Sequence, residues 1–440
     1  MQTSARQRAL DRIIPLLVGA TVLGVAAGSS SVPDVTRVGH PLRWALLAAL
    51  LVAAAFEVLP RLSVPVPATV AAAAFAALAA LSTAWSVAPR TTFERSVSIG
   101  LLFCTCLLLA AGARGRPGRA AAIVTGVLGG AAAVGVLGLL LLGVAHHRAV
   151  QSATYEAPAR FNGFGQDPNT VALLFAVVTP LAVWALLSTR RRLFAAVALA
   201  VFAGTIVASG SRGALLAAGV GALVFAAAAL RRPRAALAGV AAVAVVVGAG
   251  LAVQSLPKPA ASSTPVAAAP GPTPKPGYLD AEARYPLAAD IGQPLPGGGQ
   301  PPVRRSFFGG SGRLDAWRGA LHEVARRPVV GHGFGTEQDV FVDRYYRFVG
   351  GLPENSYIGL ALQLGVAGLL ALGALVGVLA GAGIRALAGP RRSLAAAGLG
   401  VLAAGLAAAL VQSYVYSVGN IATAALWIPA FLLAGVAADA

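Results

Sequence analysis

Twelve apolar runs, at 13–28, 42–59, 66–81, 96–113, 120–145, 169–187, 193–209, 213–230, 235–255, 354–384, 394–414 and 420–438, follow one another along the chain. The breaks between them are short and polar, except for one gap of nearly a hundred residues after 255. Each run approaches the ~20 residues that an α-helix needs to cross ~30 Å of hydrocarbon. Within a bilayer every backbone N–H and C=O must be bonded inside the chain, so such runs fold as helices and not as open strands. The expected architecture is therefore all-α: a polytopic transmembrane bundle of about 12 helices, with the lipid bilayer as its first partner. Composition agrees, because 57% hydrophobic and 11% charged residues leave too little polar surface to wet a soluble globule.

The formal charge of +18 is spread over the short breaks. It forms no basic stripe or aromatic-basic groove, so no nucleic-acid partner is expected. With the N-terminus placed in the cytoplasm, the cytoplasmic segments carry sixteen arginines and the short outer ones seven, the bias that the positive-inside rule demands. An even number of spans returns the C-terminus to the cytoplasm and leaves the long loop outside, as in a multi-pass protein of a bacterial inner membrane. Residues 1–28 read as an uncleaved first helix, since Ala26-Ala27-Gly28-Ser29 only loosely matches a cleavage site. Cys104 and Cys106, one residue apart in an apolar run, suit neither a strain-free disulfide nor a four-ligand metal site. The five histidines lack ligand spacing, so neither metal nor cofactor is expected. The spans hold almost no ionisable side chains, Glu57 near a helix end being the main exception, which argues against a carrier lined by mid-membrane charges.

Three regions follow: helices 1–9 over 1–255, an extracytoplasmic loop over 256–353, and helices 10–12 over 354–440. The loop divides by composition. From 256 to 303 it is crowded with Pro, Ala, Gly and Ser and has no apolar period, as in a flexible linker that tolerates shortening. From 304 to 353 it becomes ordered and helical. Leu314, Trp317, Leu321 and Val324 recur at helical spacing, which predicts an amphipathic helix capped by Ser311 and ended by Arg326-Arg327-Pro328. The turn-rich Gly331-His332-Gly333-Phe334-Gly335 comes next.

Three outer features bear on chemistry. Arg212 lies in the tight turn Ser209-Gly210-Ser211-Arg212-Gly213, where a guanidinium either snorkels to the interface or clamps an anion. Arg313 and Trp317 sit one helical turn apart, as a solvated cation beside an anchor or as a cation and a stacking surface for a sugar. Glu354 and Asn355 open the tenth apolar run, where the carboxylate is either a helix-start acid favoured by the dipole or a base.

Taken in order, several stretches resemble the O-antigen ligase and polymerase family of bacterial envelope enzymes. They are Leu81-Ser82-Thr83-Ala84-Trp85-Ser86-Val87-Ala88-Pro89, Asn162-Gly163-Phe164-Gly165-Gln166-Asp167-Pro168-Asn169, Ser209–Gly213, Ser311-Gly312-Arg313 with Trp317, Gly331–Gly335, and Glu354-Asn355-Ser356-Tyr357 followed by Leu364–Gly368. The resemblance implies a metal-independent membrane glycosyltransferase that passes a glycan from undecaprenyl diphosphate to a hydroxyl acceptor on a glycan, lipid or protein. Its essential arginines map onto Arg212 and Arg313, which should converge on one cavity. Many ligases carry a histidine where this chain has Glu354, so the base is either Glu354 or, failing it, His332. Arg160 is a third cation. Asn169, Trp317, His332, Asn355 and Tyr357 are the expected substrate-binding residues. Ligase, repeat-unit polymerase and protein O-oligosaccharyltransferase remain open within the family, and a lipid-linked glycan flippase outside it.

Overall fold

A computed structural model describes residues 5–59, 64–151, 159–230, 233–255, 313–341 and 352–437. The expected linker over 256–303 lies outside these residues, as do Ser311 and the rest of 304–312. The first helices are α1 (Ala5–Gly28), α2 (Pro33–Val58), α3 (Val66–Leu81), α4 (Pro89–Ala113), α5 (Pro117–Val144) and the single turn α6 (His146–Ala149). A strand pair, β1 (Val150–Gln151) and β2 (Arg160–Phe161), follows. Then come α7 (Pro168–Ser188), α8 (Arg192–Ala208), α9 (Arg212–Ala229), α10 (Pro233–Ser255), α11 (Arg313–Arg326), α12 (Glu337–Val340), α13 (Ser356–Ala386), α14 (Arg392–Ala408) and α15 (Ile421–Val436). Helices α2, α4, α5, α7 and α10 begin on a proline, whose fixed φ suits a first turn and whose missing N–H is not needed there.

Among the described residues, eight helices are long and apolar enough to cross a membrane: α1 to α5, α7, α9 and α13. Helix α10 has 23 residues. The apolar α8 and α14 have 17 residues each and α15 has 16, close to the lower limit for a span. Helix α15 is buried along its whole length and forms the axis of the bundle. Where α1 crosses α5, a Cβ at Gly130 would stand 2.4 Å from the Gly19 carbonyl oxygen. Such close backbone approach supplies the dispersion that drives helix association in lipid.

One feature departs from the sequence reading. The apolar run at 354–384 is not one straight helix, because α13 breaks at Gly365 (φ 61°, ψ −156°). The loop segment 328–333 enters the break, so that Val366 N–H donates to the Pro328 carbonyl (2.8 Å) and His332 N–H to the Leu362 carbonyl (3.0 Å). Only glycine fits at the crossing, since a Cβ on Gly365 would stand 2.3 Å from the Val329 backbone. The 21 residues after the break span about 31 Å at 1.5 Å per residue, enough for the bilayer. The turn before it then lies beyond the hydrocarbon, level with the loop. Phe334 from that loop is buried edge-on against Phe75 of α3, which pins the loop to the bundle.

Helix α11 packs through its small residues: Ala316 and Ala320 lie on Leu362 and Phe341, while Leu314 and Leu321 are exposed. Small residues let α11 lie close on α13. The leucines point away from the protein.

Candidate active site

Strand β2, the starts of α7, α9, α11 and α13, and the turn between α8 and α9 all lie at one end of the bundle. Arg160 is carried there by the strand pair, opposite Gln151. Its buried guanidinium donates through Nε to the Ser209 carbonyl (2.6 Å) and through Nη2 to Asn169 Oδ1 (2.6 Å). Arg160 thus ties the strand to α7 and to the turn that precedes Arg212. Asp167 caps α7, accepting from the N–H groups of Asn169 (2.8 Å) and Thr170 (3.3 Å), the usual way to satisfy the first amides of a helix.

Helix α11 holds the segment before α13 at two adjacent points. Arg313 Nη2 donates to Glu354 Oε2 at 2.5 Å. One turn on, Trp317 Nε1 donates to the Pro353 carbonyl at 2.8 Å. Glu354 has φ +47°, the only described non-glycine residue with positive φ, a conformation that costs ~1–3 kcal/mol and persists only where its surroundings enforce it. Burial raises the Glu354 carboxyl above the ordinary carboxylate value, and Asp167 adds to this; Arg313 and Arg160 oppose it. Helix-dipole stabilisation has little hold, because Glu354 stands outside the helix and Asn355 is its N-cap. Asn169, Ser211, Gly213 and Arg313 line one narrow crevice of about 10 Å³. Ser211 and Gly213 flank Arg212, so the turn bearing Arg212 and the start of α11 converge on it. Arg313 Nε is buried there with no hydrogen-bond partner among the described residues.

Residues 196–373, which contain Arg212, Arg313, Trp317 and Glu354, match the family model described as O-antigen ligase. Over this stretch the chain is similar to the O-antigen ligase family. No curated protein matches the chain. The match supports a glycosyltransferase-type role at a membrane, in surface polysaccharide biosynthesis. The matched region starts within α8 and ends within α13. Arg160, Asp167 and Asn169 lie before it and complete the site from outside.

The other residues marked by the sequence serve neighbouring parts of the fold. Asn355 Oδ1 accepts from the N–H groups of Tyr357 (3.0 Å) and Ile358 (3.1 Å), and its Nδ2 donates to the Leu410 carbonyl (3.0 Å). Its side chain is thereby committed to capping α13. Tyr357 Oη donates to the Leu406 carbonyl (2.8 Å). His332 is buried, with Nε2 3.2 Å from the Glu323 carbonyl. Glu323 lies ten residues along α11 from Arg313, about 15 Å at helical rise, so His332 sits toward the opposite end of that helix from the Arg313–Glu354 pair. Among the described residues, no group of three or more His, Cys, Asp or Glu could hold a metal ion. Sequence reasoning missed Asp167, although Asp-Pro directly before an apolar run is a helix-start signal. It also missed Glu337, which no motif marks.

Proposed function

We propose that this chain transfers a glycan from a lipid diphosphate, undecaprenyl diphosphate in a bacterial inner membrane, to a hydroxyl acceptor at the outer face. The observation that carries the reading is the Arg313–Glu354 pair, set beside Arg160 and the turn bearing Arg212. Cations and one carboxylate of raised pKa share a site where the described residues offer no metal cluster. In the transfer, the bond from the anomeric carbon to the diphosphate oxygen breaks and its electron pair leaves with the lipid diphosphate. The acceptor oxygen bonds to that carbon, and its proton passes to Glu354. Arginines supply the counter-charge that the leaving diphosphate requires, bidentately and at any physiological pH. Donor binding at this crevice exchanges the Glu354 contact of Arg313 for phosphate oxygens.

Glu354→Gln keeps size and hydrogen-bonding capacity while removing the basic oxygen. Transfer in membranes should fall ~10²–10⁴-fold at unchanged protein level. Near-normal transfer would remove Glu354 from the chemistry. Deleting the gene and analysing glycans assigns the reaction within the family: long chains accumulated on lipid mean ligase, single repeat units mean polymerase.

A further inference from the structure

Glu337, the first residue of α12, is a buried carboxylate that the transfer scheme leaves unused. Its Oε1 accepts from Ser413 Oγ (2.7 Å), and its Oε2 from Tyr416 Oη (2.7 Å) and Gln363 Nε2 (3.3 Å). Burying a charge is costly unless it is well bonded, and three donors from two elements meet this one. Helix α13 leaves room for it at Gly359, where a Cβ would stand 2.3 Å from Oε1 and 2.1 Å from Tyr416 Oη. The same carboxylate lines a cavity of about 90 Å³ with Arg95, Ser413, Tyr416 and Leu352. Leu352 is two residues before Glu354. Ser413 Oγ, which donates to Glu337, also accepts from the N–H of Asn355 (3.1 Å). An unbroken path thus runs from the buried carboxylate through one hydroxyl to the peptide that follows Glu354.

We propose that Glu337 is a positioning residue for Glu354: acting through Ser413, its carboxylate holds the Asn355 N–H and so fixes the strained turn that aims Glu354 at Arg313. The proposal rests on the reading of Glu354 as the base. The ionised form is the organising one, because a carboxylate accepts from Ser413, Tyr416 and Gln363 together. A proton on either oxygen makes that oxygen a donor, so the hydroxyl facing it must reverse from donor to acceptor and the set of bonds is reorganised. Burial pushes this carboxyl up to about 7, against the hydrogen bonds from Tyr416 and Ser413 and the charge of Arg95. Among the described residues, those are the charged or titratable groups facing it: Tyr416 from the 409–420 loop and Arg95 from α4, with only the neutral Gln363 from α13. Protonation therefore grows as pH falls through about 7, and transfer should decline with it. The stability sign is opposite. A carboxyl whose folded pKa is raised stabilises the fold below its unfolded pKa and loses that contribution as pH rises, so slower transfer at pH 6 is not local unfolding.

The test uses the full chain. In vesicles of native membrane containing the cell's own lipid-linked glycan, transfer by the wild type should decline as pH falls through about 7. Glu337→Gln should remove that decline, leaving the ionisation that Glu354 itself requires as base, and lower kcat by ~10²-fold through misplacement of the base, with KM for the donor nearly unchanged. Ser413→Ala should do the same and Ser413→Thr should rescue, which keeps the test sharp if Glu337→Gln folds poorly. A readout independent of transfer is Trp317 emission in nanodiscs, since its indole bonds the Pro353 carbonyl. It should shift with a midpoint near pH 7, and the shift should vanish in both Trp317→Phe and Glu337→Gln. An emission shift near pH 7 that survives Glu337→Gln, or a shift that survives Trp317→Phe, overturns the proposal. Full transfer by Glu354→Gln would overturn the reading of the base, while the emission titration would still decide whether Glu337 governs the 353–355 segment.

Discussion

Two clusters of charge sit at opposite ends of the bundle, and they are built differently. Where α1 and α5 begin and α2 ends, Arg116 pairs with both Asp11 and Glu57, and Arg119 with Glu57 at 2.7 Å. Arg119 also donates to the carbonyls of Leu10 (3.3 Å) and Asp11 (3.2 Å). Two cations answer two carboxylates, and Glu57 is sealed from solvent. At the other end Arg313 pairs with Glu354, with Arg160 and Asp167 near enough to act on the same carboxyl. There the carboxylate of Glu354 is held in a strained turn, whereas a buried arginine Nε without a partner among the described residues occurs in both clusters, at Arg313 and at Arg119. A charge-balanced network suits a staple between helices, whereas a cation pair site with backbone strain beside it suits a place where an anion arrives.

The comparison can be broken at either end. Glu57→Ala leaves Arg116 and Arg119 without their shared buried partner, and removing one member of a buried network costs ~3–5 kcal/mol. Thermal unfolding in detergent should show that loss together with reduced protein in the membrane. A stable Glu57→Ala protein would mean that the staple is ornamental. Arg313→Lys should leave protein level and unfolding unchanged and lower transfer by ~10²-fold, because an ammonium cannot make the planar two-point contact of a guanidinium. If it lowers stability and spares transfer, the two ends have exchanged roles. The smallest effect belongs to Asn355→Ala, which removes the cap of α13 at about 1 kcal/mol. Unfolding should register it, while the Arg313–Glu354 pair keeps much of its transfer activity.

The helices were legible because length and apolarity alone decide them. The same logic hid the ion network: Arg116 and Arg119 look like topology signals when residues are counted along the chain, since their partners Asp11 and Glu57 lie 105 and 62 positions away. The break at Gly365 was hidden for a related reason. Glycine is common within membrane helices, and the segment that splits this one comes from Pro328 and Val329. At the site, the arginines, Trp317 and Glu354 stood out through charge in cramped turns and through family motifs. Asn355 and Tyr357 shared a motif with Glu354 yet serve the backbone of α13 and α14. Glu337 carried no local signal, because only the fold brings Ser413 and Tyr416 to it.

The broken helix also bears on how the molecule is made. Residues 328–333 supply the hydrogen bonds that α13 lacks at Gly365, and they leave the ribosome before α13 does. The loop can dock only when α13 arrives, and α13 cannot finish its own ladder without the loop. Docking of the loop and completion of the hydrogen-bond ladder at Gly365 are therefore one event, and a chain cut between them would leave both halves with unpaired backbone there.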